Sequence, residues 1–264
     1  MPTLYNFAKK KGVFMIPSGG TKSPTPTPPS FTNTYSFNYD GVDDYINCGN
    51  VTSLNNATNG SWSFWMRPEA TGLKYAFTAY NGGGTNQQIQ FQKKGTGISI
   101  RLRGQGYVGG TPIMFNESSQ SWTLSSWYHV VVTFDGAEAV NNQKVKVYVN
   151  GSALTNSATA ASLTNINTTT SDFYIGAYAS SNEWNGGIDE FAIFNTTLSA
   201  SDVTAIYNSG TPISLTSFSP IHWWRMGDSA TWDGSNWTLT DQGSGSNDGT
   251  SANMVEADRE IQTP

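Results

Sequence analysis

From residue 31 onward, apolar and polar residues alternate with a period of two. Tyr35, Phe37 and Tyr39 share one face of the first run, and Trp62, Phe64 and Met66 share one face of "SWSFWMRP". "QQIQFQ" pairs Ile89 with Phe91, and "ISIRLRG" groups Ile98, Ile100 and Leu102. "WYHVVVTFDG" places Tyr128, Val130, Val132 and Phe134 together, and "KVKVYVNG" does the same for Val145, Val147 and Val149. Successive side chains of a strand point to opposite faces, so each run predicts a strand with one buried face. Asn150-Gly151 supplies the positive φ angles of a tight hairpin turn, so the following "SALT" is expected to pair back antiparallel. "DFYIGAY" and "GGIDEFAIFN" add two more strands. Many short alternating strands joined by Gly/Asn turns predict an all-β, two-sheet antiparallel sandwich.

A period of 3.6 intrudes once, in "LSASDVTAIYNSG". Ser199 is a good N-cap, Asp202 suits the positive N-terminus, and Leu198 with Val203 forms a hydrophobic staple. The result is one short helix near 199–209, with Val203, Ile206 and Tyr207 buried and Gly210 as its stop. In "IHWWRMGD" a further strand directs Trp223 and Trp224 to opposite sides. "TLTDQGSGSNDGT" reads as a strand and a Gly/Asn loop, and residues 255–264 as a polar, peripheral tail. Residues 1–17 form a short leader or anchor, and residues 18–30, "SGGTKSPTPTPPS", an extended Pro/Ser/Thr linker. The domain proper is residues 31–254.

Composition narrows the function. Charged residues are 12 % of the chain and aromatics 13 %, which favours sheet over helix. Net charge is −5 and the longest basic run is Lys9-Lys10-Lys11, so no nucleic-acid partner is expected. The single cysteine, Cys48, excludes an internal disulfide and a Cys-based metal cluster. "GVFMI" is too short for a signal-peptide core and Pro17 ends it, and no stretch predicts membrane insertion. An extracellular-type composition without leader or disulfides predicts a protein made in the cytoplasm and released by lysis.

"YSFNYDGVDDYINCGN", "SWSFWMRP", "WYHVVVTFDG", "VKVYVNG" and "FYIGAYASSNEWNGGIDEFAIFN" occur in an order that resembles the laminin-G-like, or concanavalin A-like, jelly roll. The resemblance covers residues 34–254. It implies a jelly-roll fold, a mainly non-catalytic binding role, often for glycans, and calcium at a sandwich rim. In such domains, segments like "HWWRMGD" and "TLTDQGSGSNDGT" usually precede the "FDGVDDYV" segment, whereas here they follow the helix. The arrangement resembles a permutation seen in tailed-phage structural proteins. Residues 219–254 are then expected to complete the sandwich of their own chain rather than a neighbour's.

The acidic turn 40–44 has two readings. Asp and Gly form tight turns and bond their own backbone. Alternatively, Asp43 and Asp44 hold calcium together with Asp189, an acid expected to be half-buried from its parity with Phe191 and Ile193. Catalytic acids are not expected: the E-x-D-x-x-E strand of laminarinase-like enzymes is missing, and Asp189 and Glu190 should point to opposite faces. His129 is expected to be structural, and His222 has no ligand-spaced companion. Glycan recognition needs exposed aromatic faces with amides and carboxylates. Tyr178, Asn182, Glu183 and Trp184 offer these in one loop, with Tyr80 and Tyr107 in others. The competing reading packs Trp184 on the sandwich edge. The leading expectation is a non-catalytic virion surface protein that contacts virion subunits, with copies of itself among the candidates, and host surface glycans. The alternative is a secreted or cell-surface carbohydrate-binding module, and a polysaccharide hydrolase or lyase ranks third.

Overall fold

The computed structural model describes residues 31–80, 87–105, 112–177 and 182–264. In chain order the strands begin with β1 (Ser36–Asp40), β2 (Tyr45–Asn47), β3 (Asn59–Pro68), β4 (Lys74–Tyr80), β5 (Gln87–Lys93) and β6 (Ile98–Leu102). They continue with β7 (Ile113–Glu117), β8 (Tyr128–Asp135), β9 (Val145–Val149), β10 (Ser152–Ala153), β11 (Phe173–Ile175) and β12 (Asn185–Phe194). After helix α1 (Ala200–Tyr207) come β13 (His222–Trp224), β14 (Ala230–Trp232), β15 (Trp237–Leu239), β16 (Gly249–Ala252) and β17 (Arg259–Glu260).

These strands form two antiparallel sheets. The first runs β10-β9-β8-β3-β12-β1-β17, with β13 also paired to β12. The second runs β14-β15-β16-β2-β11-β4-β5-β6-β7. The alternating residues meet between them: Phe37, Trp62, Phe64, Phe91, Ile100 and Val132 are all fully buried. Rings from both sheets touch in this layer, with Phe64 and Phe91 centroids 5.1 Å apart and Phe173 and Trp224 6.4 Å apart. This is the two-sheet sandwich expected from the alternation, with one α-helix among the described residues. Asn150 (φ 48°) and Gly151 (φ 77°) both adopt the left-handed conformation that a tight hairpin turn demands.

Helix α1 lies on the outer face of the first sheet. Ser199 Oγ accepts from the Asp202 N–H while Asp202 accepts from the Ser199 N–H, a complete capping box. Val203 and Ile206 are buried, and the Tyr207 ring stacks at 6.0 Å on His129. The helix stops at Asn208, already left-handed (φ 44°), two residues before the expected Gly210. Asn tolerates that conformation better than most residues with a side chain.

The C-terminal segment closes the sandwich of its own chain. Strand β13 flanks β12, β14 to β16 extend the second sheet from β2, and β17 pairs with β1. Trp224 enters the core while Trp223 faces outward, as the alternation requires. His222 is buried, with Nδ1 2.7 Å from Asp241 and Nε2 3.2 Å from Ser53. Asp241 also accepts from the N–H groups of Trp223, Gly243 and Asn247. Burial pushes the Asp241 carboxyl up, but these bonds outweigh it and hold the group below its usual range. Residues 255–264 stay exposed or half-buried at the periphery, yet part of this tail pairs: Arg67, nearly buried, bonds Glu260 at 3.0 Å and also the Gln262 side chain. A strand edge with open N–H and C=O groups at β1 gives these polar residues a partner that composition alone does not reveal.

Candidate functional site

The loop expected to bind a glycan does not present its aromatic ring. Trp184 is fully buried and its indole N–H donates to the Gly187 carbonyl at 3.2 Å. A ring enclosed in this way offers no face to a sugar. Glu183 is nearly buried beside Tyr75, and burial pushes its carboxyl up against the lowering influence of Lys74. Asn182 is exposed, in a left-handed turn (φ 58°). Tyr178 and Tyr107 lie outside the described residues.

The acids divide differently from the expected Asp43–Asp44–Asp189 set. Carboxylate oxygens of Asp40, Asp43 and Asp44 lie within 4.8 Å of one another, so Asp40 is the third member and Asp189 is not. Asp40 pairs with Asn185 across β1 and β12, which puts Asp189 on the order of 13 Å further along the strand. Asp189 is fully buried, not half-buried: a bulge between Asp189 and Ala192 breaks the parity of β12, so Asp189 does not share the core face of Phe191 and Ile193, and Asn33 from the segment before β1 donates to it instead. Ile188 faces the core before the bulge, and Phe191 and Ile193 face it after. Asp189 and Glu190 therefore do not simply alternate. Glu190, left-handed at φ 47°, donates its N–H to Asp189 at 2.8 Å and accepts from Trp223 and Arg225 at 2.6 and 3.0 Å. His129 is buried with Nε2 2.9 Å from Ser63 Oγ, and burial lowers its pKa to about 3, which suits a structural imidazole.

The turn reading and the cation reading of residues 40–44 both have geometry behind them. Asp40 accepts from the Val42 N–H at 2.7 Å, an Asx turn, and Asp44 accepts from the Asp40 N–H at 2.9 Å. Burial, then Asp40, Asp258 and Asp43, raise the Asp44 carboxyl to about 6 against the lowering influence of that N–H bond. Three clustered carboxylates of which one resists ionisation are chemically suited to a hard divalent cation with oxygen ligands.

Strand β2 leaves this turn and carries the site that sequence reasoning missed. Ile46 is buried in the core, so Tyr45 and Asn47 face outward. Tyr174, half-buried on β11, faces outward for the same reason between Phe173 and Ile175. The rings of Tyr45 and Tyr174 meet edge to face at 5.7 Å. Asn47 Nδ2 donates to Asp172 at 3.0 Å beside them. The strand register extends this polar row across the sheet, from Thr250 through Asn47, Tyr174 and Thr78 to Gln90 and Arg101. Burial, Asp172 and Tyr45 together push the Tyr174 phenol up, so its hydroxyl stays a neutral donor and acceptor. "YIN" and "FYI" each carry the alternation that turns these side chains outward, but their pairing spans more than a hundred residues.

The family model of the concanavalin A-like lectin/glucanases superfamily matches residues 40–204. The chain belongs to this superfamily. No curated protein matches the chain by sequence. Among solved structures, this concanavalin A-like chain is similar to a Bacteroides ovatus protein provisionally described as carbohydrate-binding, at TM-score 0.60 and 15 % identity, over 85 % of this chain and 60 % of that one. It is also similar to a heptameric SAP-like pentraxin from Limulus polyphemus, at TM-score 0.51 and 14 % identity, over 79 % of this chain and 93 % of that one. At these identities the likeness is one of fold.

Proposed function

We propose that the protein is a non-catalytic carbohydrate-binding module that engages glycans on the outer face of its second sheet. The observation that carries this reading is the Tyr45–Tyr174 ring pair beside the Asn47–Asp172 amide–carboxylate pair, all half-buried on that face. Aromatic surface takes the C–H faces of a sugar, and amide and carboxylate groups take its hydroxyls. The superfamily membership and the description of the Bacteroides ovatus protein support the same reading. Calcium held by Asp40, Asp43 and Asp44 would stiffen the turn that leads directly into Tyr45. Such a module acts at an extracellular surface. The virion subunits and self-association expected from the sequence have no observation behind them in the fold, and neither structure named above is a virion protein.

Binding to a broad glycan array, with calcium and with excess EDTA, tests the proposal. Tyr174→Ala is expected to weaken binding about tenfold by removing one ring face. Undiminished binding by both Tyr174→Ala and Tyr45→Ala would move the site elsewhere.

A further inference from the structure

The side chains around the Tyr45–Tyr174 pair carry a sign as well as a shape. Asp172 touches Asn47 within the patch. Asp248 is exposed and stands two residues before the outward-facing Thr250, which pairs with Asn47. At the other end of β2, Asp40, Asp43 and Asp44 crowd the turn immediately before Tyr45. Among the described residues, the basic groups on the same face lie elsewhere. Arg101 is on β6, three strands from Tyr174 and thus roughly 14 Å away. Lys74, at the start of β4, lowers the Glu183 carboxyl and the Lys93 ammonium. The undescribed internal segments 81–86, 106–111 and 178–181 contain no charged residue.

Resting on the binding reading above, we propose that this patch selects neutral or amino-bearing sugars and rejects carboxylate-bearing glycans, such as sialylated or uronic-acid chains. A sugar carboxylate laid beside Tyr174 would meet Asp172 on one side and the acidic turn on the other. Like charges brought together without a compensating cation are a repulsive element of specificity. A hydroxyl at the same place donates to Asp172, and an ammonium group does so with charge assistance.

The test uses the full chain in EDTA at low ionic strength, with two trisaccharides that differ only in a terminal carboxylate or hydroxyl. Several like charges around the ring pair predict about tenfold weaker binding of the acidic partner, narrowing in high salt. Asp172→Asn keeps the hydrogen-bond shape and is expected to bring the two ligands within about threefold. A melting temperature equal to that of the unaltered chain shows that the variant is folded. Equal or tighter binding of the acidic trisaccharide, or a preference that neither salt nor Asp172→Asn reduces, overturns the proposal while leaving the binding site standing. Binding of no member of a broad neutral and acidic panel overturns the binding reading and this selectivity with it.

Discussion

Asp40, Asp43 and Asp44 stand at one end of the β1–β12 pair, and Asp189 and Glu190 at the other. The first group sits at the surface of a turn: Asp40 and Asp43 are exposed, Asp44 is buried beneath them, and the short bonds are to the turn's own backbone. The second group is enclosed. Asp189 accepts from Asn33, Glu190 from Trp223 and Arg225, and nearby Asp228 from the N–H groups of Thr34 and Tyr35. Arg225 completes the clasp by bonding the Thr32 carbonyl. The buried acids therefore tie the first described residues of the domain to strands β12 and β13. Similar chemistry serves two ends because solvent differs. Acids in water remain available to a cation or ligand, whereas enclosed acids must find internal donors and become structural.

The largest effect should come from breaking the enclosed group. Arg225→Met leaves Glu190 and Asp228 without their guanidinium, and urea unfolding should show a loss of about 4 kcal/mol. A midpoint shifted no more than by a surface substitution would mean that the acids are already neutral and the ion pair is dispensable.

The pH dependence should be next in size. Burial, opposed by Arg225, raises Glu190 to about 7, and burial with the Glu190 charge raises Asp189 well above the ordinary carboxylate range. Both groups hold protons more tightly in the folded chain than in the unfolded one. Their stabilising contribution is full below the unfolded values and disappears as pH rises through the folded ones. Stability should thus fall between roughly pH 4 and 7, by on the order of 3 kcal/mol from Glu190 alone. Glu190→Gln should flatten that slope in denaturation curves taken at several pH values, and an unchanged slope would assign it to other groups, such as Asp44.

Calcium separates the two groups most finely. At a hundredfold excess over its dissociation constant it should add about 2.7 kcal/mol of stability, read as a rise in melting temperature. Asp43→Asn should abolish that rise, whereas Asp189→Asn should leave it intact. Without calcium, Asp43→Asn should change stability by less than about 0.5 kcal/mol, since Asp43 is exposed.

The same contrast marks what could be read without the fold. Tyr45, Asn47 and Tyr174 were legible as outward-facing side chains, because Ile46, Phe173 and Ile175 had to point inward. That they form one patch was not, since β2 and β11 are neighbours only after a long connection closes. Trp184 looked available because its surroundings are polar and Gly-rich, yet its hydrogen bond to Gly187 and the core around it absorb the ring. Asp189 was misread for a different reason. Parity is conserved along a regular strand, and a single extra residue at a bulge inverts it for everything that follows.

Local rules sufficed wherever the determining contacts are close in sequence: alternation for the strands, the Ser199–Asp202 capping box for the helix, and Asn150-Gly151 for the hairpin. Tertiary structure alone decided the rest. It placed β14 to β16 beside β2, brought Arg259 and Glu260 to the open edge of β1, and separated the exposed acids from the buried ones. These outcomes depend on which distant backbone edges and charges meet when the sheets close, and a one-dimensional pattern does not encode that geometry.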